Sequence, residues 1–155
     1  MKVRHAMLAV TGAALLGGCA HLGYWRIYPK ETFTIGGRTV TLSTYRCKVN
    51  KPDCVVDLNP SPDAKADWGP EVIVVEGNGG KRVHWRIKAT EEWSFANPGI
   101  VFKTDAGKRN FTCVQTRFMV QCDNNRAPGD FEYAIRVLKE GEGHPIEKDP
   151  WFINR

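Results

Sequence analysis

The chain has 155 residues, with 22 lysine or arginine and 17 aspartate or glutamate residues, so its formal net charge is +5. This length is typical of one domain with a single core. Basic and acidic residues are interleaved, as with Lys139 beside Glu140, whereas nucleic-acid-binding proteins usually cluster their basic residues in a stripe. The composition therefore argues against nucleic acid as a partner, and it indicates no cofactor.

The amino-terminal segment has the parts of a cleavable export signal. Lys2 and Arg4 form a positive region, residues 6–16 are mostly apolar, and two glycines precede Cys19. A bilayer-spanning helix takes about 20 apolar residues, so this apolar segment is too short to span. We therefore predict a signal peptide over residues 1–18.

Leu16-Gly17-Gly18-Cys19 resembles the lipobox of bacterial lipoprotein precursors. The resemblance implies that Cys19 carries a diacylglycerol, that a peptidase cuts before it, and that its amine takes a third acyl chain. Two or three acyl chains hold a protein firmly on a membrane. Ala20 after the cysteine implies sorting to the outer membrane of a Gram-negative cell, with the protein facing the periplasm. Residues 19–30 then form a lipidated tether and residues 31–155 the folded domain.

The first predicted hairpin follows the tether. Residues 32–35 and 38–42 alternate between apolar and polar side chains, and Gly36-Gly37 between them suits a two-residue turn, because glycine readily adopts positive φ. This register places Phe33 opposite Val40 on one face of the hairpin.

Four cysteines besides Cys19 predict two disulfides in an exported chain. They are Cys47, Cys54, Cys113 and Cys122, and three pairings are open. The local pairs each lie across a plausible hairpin, and the second pair would face each other across two strands. Spacings of six and eight intervening residues are longer than those of zinc-binding pairs, so we predict no metal site.

A second hairpin is predicted from residues 71–75 and 82–87, joined through a turn that contains Asn78-Gly79. Its register places Val74 against Val83 and His84 against Ile73. The continuous apolar run at residues 72–75 indicates a strand that is covered on both faces.

The last strong strand covers residues 131–137, with alternate aromatic and aliphatic side chains on one face. Shorter strands are predicted around residues 45–48, 55–58, 100–103, 110–116 and 119–122, and no helix is predicted after the signal. About eight or nine strands predict an all-β fold, a two-sheet antiparallel sandwich of the immunoglobulin-like kind. A small β-barrel is the alternative.

Motifs for catalysis are not found in the sequence. It contains no Gly-x-Ser-x-Gly, no His-Glu-x-x-His and no phosphate-binding loop. Asp123 and Asp130 could ligate calcium, but their surroundings are typical of a turn. Trp68, Trp93 and Trp151 could form a sugar- or protein-binding surface.

The hypothesis is a non-enzymatic lipoprotein that binds or supports an envelope protein or glycan. The strand at residues 131–137 also resembles that of small exported bacterial β proteins, which implies no mechanism. Two alternatives stay open. One is an inhibitor of a lysozyme-like hydrolase, because lipoprotein lysozyme inhibitors are similarly small, disulfide-linked and all-β. The other is a hydrolase whose reacting groups meet only in the fold.

Overall fold

The computed structural model describes residues 28–62 and 68–155. The predicted signal peptide, Cys19 and most of the tether lie outside these residues. Within the described ranges no helix has the length and apolar character needed to cross a membrane. The elements, in chain order, are β1 (Lys30–Ile35), β2 (Arg38–Arg46), β3 (Asp53–Leu58), β4 (Val72–Val75), β5 (Arg82–Ile87), β6 (Trp93–Phe102), α1 (Asp105–Asn110), β7 (Phe111–Gln115), β8 (Met119–Asn124), β9 (Gly129–Lys139), β10 (Ile146–Lys148) and β11 (Trp151–Asn154).

The strands form two sheets, which confirms the predicted all-β sandwich. One sheet has the order β1-β2-β4-β11-β9-β10, with β6 also paired to β9, and the other has the order β3-β5-β8-β7. The sheets are not closed into a barrel. Three pairs are parallel, namely β2 with β4, β4 with β11 and β3 with β5. Both sheets are therefore mixed, whereas the sequence had indicated purely antiparallel pairing.

The hairpin of β1 and β2 is confirmed. Phe33 pairs with Val40 and Thr34 with Thr39, as the alternation predicted. Gly36 and Gly37 have φ values of 57° and 77°, which non-glycine residues rarely adopt. The turn therefore fixes the register of the hairpin.

The predicted hairpin of β4 with β5 is wrong. β4 lies between β2 and β11 in the seven-stranded sheet, and β5 lies between β3 and β8 in the four-stranded sheet. Val74 consequently pairs with Arg46 and Ile153 rather than with Val83. His84 pairs with Val55 and Gln121 rather than with Ile73.

The turn between these strands explains the error. A type I′ hairpin turn needs positive φ at both central residues. Positive φ occurs instead at Gly77 (57°) and Gly80 (62°), and Asn78 and Gly79 lack it. Residues 77–80 thus carry the chain from one sheet to the other, and β4 is flanked by a strand on each side.

One short helix was not predicted. α1 contains only six residues, too few for a helical pattern of apolar side chains to be seen in the sequence. The Thr104 side chain caps its first turn by accepting a hydrogen bond from the Gly107 amide at 3.1 Å. The cap stabilises this turn between β6 and β7.

Both disulfides of the described chain join the local pairs of cysteines. Cys47 bonds to Cys54 with a Cα–Cα distance of 5.2 Å. Cys113 bonds to Cys122, its predicted partner across β7 and β8. These two disulfides indicate an oxidising, extracytoplasmic compartment.

The space between the sheets holds an aromatic core. β9 confirms the predicted strand over residues 131–137, and Tyr133 on its inner face is fully buried. The equally buried Trp85 of β5 donates from Nε1 to the Tyr133 hydroxyl at 3.2 Å. This hydrogen bond connects the two sheets at the centre of the sandwich.

A Tyr133→Phe variant is expected to lower the free energy of unfolding by about 1 to 3 kcal/mol, because it leaves the buried Trp85 N–H without its acceptor. Burial also raises the pKa of Tyr133. Since the unfolded chain loses the phenol proton more readily than the folded chain, this residue's contribution to stability is complete below about pH 10 and declines above it. Urea unfolding at neutral and alkaline pH measures both effects. If the free energy of unfolding of Tyr133→Phe fell as steeply at alkaline pH as that of wild type, the pH dependence would not arise from Tyr133.

Candidate functional site

The seven-stranded sheet has a second apolar face. Ile73 and Val75 of β4 pack in the core between the sheets, whereas Val72 and Val74 point to the opposite side. There they form a separate cluster with Ile35 and Ile153. Apolar side chains on both faces explain the continuous apolar run that the sequence shows at this strand.

A groove of about 390 Å³ lies on this outer face. Its size falls in the range of small ligand sites, which runs from about 300 to 1,000 Å³. Its lining is mostly apolar and consists of Ile35, Val40, Leu42, Pro150 and Trp151 together with four charged residues, Arg38, Glu71, Lys148 and Asp149, which we call the rim. The groove therefore lies between the β1–β2 hairpin and the turn that joins β10 to β11.

The two carboxylates at the rim are held by other residues. Glu71 accepts hydrogen bonds at Oε2 from the Ser43 amide at 2.8 Å and from the Ser43 hydroxyl at 3.0 Å. Asp149 forms an ion pair with Lys103 at 2.8 Å, and this hydrogen bond raises the pKa of Lys103. Glu71 is thus held by β2, and Asp149 by the residue that follows β6.

The two cations at the rim differ. Lys148 donates to the Gly69 carbonyl at 3.4 Å and lies 5.6 Å from the centre of the Trp68 ring. Arg38, which is exposed at the start of β2, forms no side-chain hydrogen bond or ion pair with the residues that the structure describes. Arg38 is therefore the rim cation that is available to an outside carboxylate.

The three tryptophans considered for a binding surface do not form a shared exposed surface. Trp68 and Trp93 are buried, with exposed fractions of 2% and 3%. Trp151 is half-buried and lines the groove. Periodicity could not distinguish these residues, because Trp68 lies in a loop and is nevertheless covered by the sandwich.

Histidine and serine side chains, which could serve as a catalytic base and nucleophile, are not brought together at His84 and Ser43. His84 has Asp53 as its neighbour, at 3.3 Å, and Ser43 has Glu71. Ser43 and His84 therefore have different partners, and no group of three potential metal ligands forms within residues 28–62 and 68–155. Asn124, in the predicted calcium-or-turn segment, is buried and bonded to other amides.

Sequence reasoning did not find the groove. Its walls come from residues 35–42 and 148–151, which the topology brings together only because β4 and β11 follow β2 in the sheet order. The sequence signal for it was the continuous apolar run of β4, because apolar side chains on both faces of a strand indicate that the outer face is covered as well. No family model matches the chain, and no curated protein matches it.

Proposed function

We propose that the protein is a lipid-anchored lipoprotein of the outer membrane that binds another envelope protein through the groove on its outer sheet face. The groove is the observation that carries this proposal, because it combines apolar walls with a cation that has no described partner. The two disulfides support an extracytoplasmic location. The anchor is supported by the likeness of residues 16–19 to a lipobox.

The chemistry of the walls favours a peptide segment as the occupant. Val40 and Leu42 offer aliphatic surface beside the Trp151 ring. The carboxylates of Glu71 and Asp149 are already bonded to Ser43 and Lys103, so few hydrogen-bonding groups of the groove are left for the hydroxyls of a sugar. Arg38 at the edge complements a carboxylate, since guanidinium groups bind carboxylates with two parallel hydrogen bonds. The ligand is therefore an exposed apolar segment of a partner protein with an acidic residue beside it.

Site-specific photo-crosslinking in intact cells tests this binding. A photoreactive amino acid at Leu42 is expected to give one discrete protein adduct, and the same group at Val114, on the other sheet, is not. Adding Arg38→Glu to the Leu42 probe is expected to reduce the adduct at least about tenfold, because a favourable charge pair becomes a repulsive one. An adduct that persists with Arg38→Glu, or that forms equally from Val114, contradicts the groove as the binding site.

The anchor is tested separately. The mature protein is expected to begin at Cys19 and to carry the mass of its acyl chains. A Cys19→Ser variant is expected to leave the membrane fraction, because a single apolar segment without acyl chains holds weakly. A mature protein without added hydrocarbon mass would refute the anchor and leave the groove proposal standing.

A further inference from the structure

The end of the sandwich away from the groove is built from three segments. Residues 48–52 form the loop that the Cys47–Cys54 disulfide closes, and they pack on the turn at residues 76–81. The Gly80 amide donates to the Lys51 carbonyl at 3.0 Å. The Arg126 guanidinium reaches the Gly77 carbonyl and so adds residues 125–128. We call these three segments the basic pole.

Cations at the basic pole outnumber the acids available to neutralise them. Three exposed basic side chains of the basic pole, Lys48, Lys51 and Lys81, have no ion pair within the described chain. A fourth, Arg109, belongs to α1 and lies beside the pole, because the Asn125 side chain donates to its carbonyl. Three nearby carboxylates are already paired with other arginines, in the pairs Asp53–Arg82, Glu76–Arg46 and Asp130–Arg155. Asp123 is the exposed acid at this pole without an ion pair in the described residues.

An apolar side chain is exposed in the same loop as two of these lysines. Val49 is 55% exposed, and it and Val114 are the exposed large hydrophobic residues of the described chain. Lys48 precedes it and Lys51 follows two residues later. A disulfide holds the loop on both sides, so Val49 is presented on a constrained backbone.

The strand directions place the basic pole opposite the groove. β2, β4 and β11 run parallel to one another. Arg38, Glu71 and Trp151, which line the groove, stand at or just before the starts of these strands. The loop at 48–52 and the turn at 76–81 follow the ends of β2 and β4. When a surface binds the basic pole, the groove therefore faces away from that surface.

We infer that the basic pole binds the surface of an anionic phospholipid bilayer, with Val49 entering the headgroup region between Lys48 and Lys51. Basic residues near an anionic leaflet each add to binding, and an apolar side chain among them adds buried area. A soluble polyanion would use the lysines but has no apolar layer to receive Val49, so the combination favours lipid. This contact is independent of Cys19 and sets the orientation of the body rather than its attachment.

Vesicle binding of residues 20–155 tests the inference without the acyl anchor. Both disulfides and every buried residue named above lie in this range, so it contains the whole described core. Wild type is expected to co-sediment with vesicles of phosphatidylglycerol and phosphatidylcholine and not with phosphatidylcholine alone. The double variant Lys48→Glu/Lys51→Glu is expected to bind about tenfold more weakly or worse, and Val49→Ser roughly fivefold more weakly.

The matched control reverses two charges at the other pole. Lys88 follows the end of β5 and Arg117 precedes β8, so both lie at the groove end. Lys88→Glu/Arg117→Glu is expected to bind like wild type, since it changes net charge equally without touching the basic pole. Equal binding by all variants, or equal losses in both double variants, overturns the inference. Two results together would identify a polyanion site instead. Lys48→Glu/Lys51→Glu would lose binding to dextran sulfate, and Val49→Ser would bind vesicles as well as wild type does.

Thermal unfolding of each variant separates a lost contact from a lost fold. All four substituted cations are exposed and form no ion pair in the described chain, and the Arg117 guanidinium lies 5.1 Å from the centre of the half-buried Phe118 ring. The unfolding midpoints of the variants are therefore expected to stay near that of wild type. If Lys48→Glu/Lys51→Glu fails to fold, Lys48→Gln/Lys51→Gln takes its place, because it removes both charges without reversing them.

Discussion

Replacing Asn124 by alanine is expected to lower the free energy of unfolding by about 3 to 5 kcal/mol, a large part of the stability of a domain of this size. Asn124 is buried at the end of β8, and both the oxygen and the nitrogen of its side-chain amide form hydrogen bonds. Its Nδ2 donates to the Gly80 carbonyl at 3.1 Å and to Asn154 Oδ1 at 3.0 Å. Alanine removes the amide and leaves these buried acceptors without a donor.

The oxygen of the same side chain is used equally fully. Asn124 Oδ1 accepts from Asn110 Nδ2 at 2.9 Å, from Asn154 Nδ2 at 3.0 Å and from the Arg126 amide at 2.9 Å. One side chain therefore joins α1, β8, β11 and the turn between β4 and β5. The loss is expected to be large because several buried polar groups lose their partners together.

Two further variants at this position sharpen the test. Asn125→Ala is the control, because the neighbouring Asn125 is exposed and donates one hydrogen bond, to the Arg109 carbonyl; we expect a loss below about 1 kcal/mol. Asn124→Asp keeps an acceptor but removes both N–H donors. Its free energy of unfolding is therefore expected to lie nearer to that of Asn124→Ala than to that of wild type. Urea unfolding gives all three values. A small loss in Asn124→Ala would show that water or a neighbour replaces the amide.

Removing the Cys47–Cys54 disulfide is expected to cost about 3 kcal/mol. The bond closes a short loop, with a sequence separation of 7, and the chain-entropy relation assigns about 2.5 kcal/mol to a loop of this length. The sulfurs are also buried in the main core, so a Cys47→Ala/Cys54→Ala variant loses packing as well. Urea unfolding of wild type and the variant measures the difference.

The second disulfide provides a comparison. Its sequence separation is 9, so closing its loop contributes a similar entropy to stability. Cys113, however, is exposed on the edge strand β7. Cys113→Ala/Cys122→Ala is therefore expected to lose less packing energy than the first variant. Only the first variant is expected to reduce vesicle binding, since only it releases the loop that carries Val49. Equal vesicle binding by both would indicate that the loop keeps its shape without the bond.

The sequence predicted those parts of the fold that depend on neighbours in the chain. The β1–β2 hairpin follows from two adjacent glycines and an alternating pattern, and Cys113 opposite Cys122 follows from a short turn. The partners of β4 could not be predicted in this way, because β2 and β11 are distant in sequence and parallel pairing has no turn signal. The Asn78-Gly79 signal was misleading because a local turn cannot specify which sheet receives the next strand.

The candidate site was less predictable than the fold. A groove between residues 35–42 and 148–151 exists only once the sheet order is known. The basic residues around the pole show the same limit, since Lys48 and Arg109 are 61 positions apart with acids between them. Interleaving along the chain argued against a clustered basic stripe, but ion pairing of Asp53, Glu76 and Asp130 with other arginines leaves these cations without acidic partners.

The central position of β11 has a consequence for folding. Strands β4 and β9 each present a hydrogen-bonding edge that residues 151–154 fill. Those two edges stay open until β11 docks, and an open strand edge is a template for pairing with another chain. Folding intermediates that lack β11 are therefore the species most exposed to aggregation.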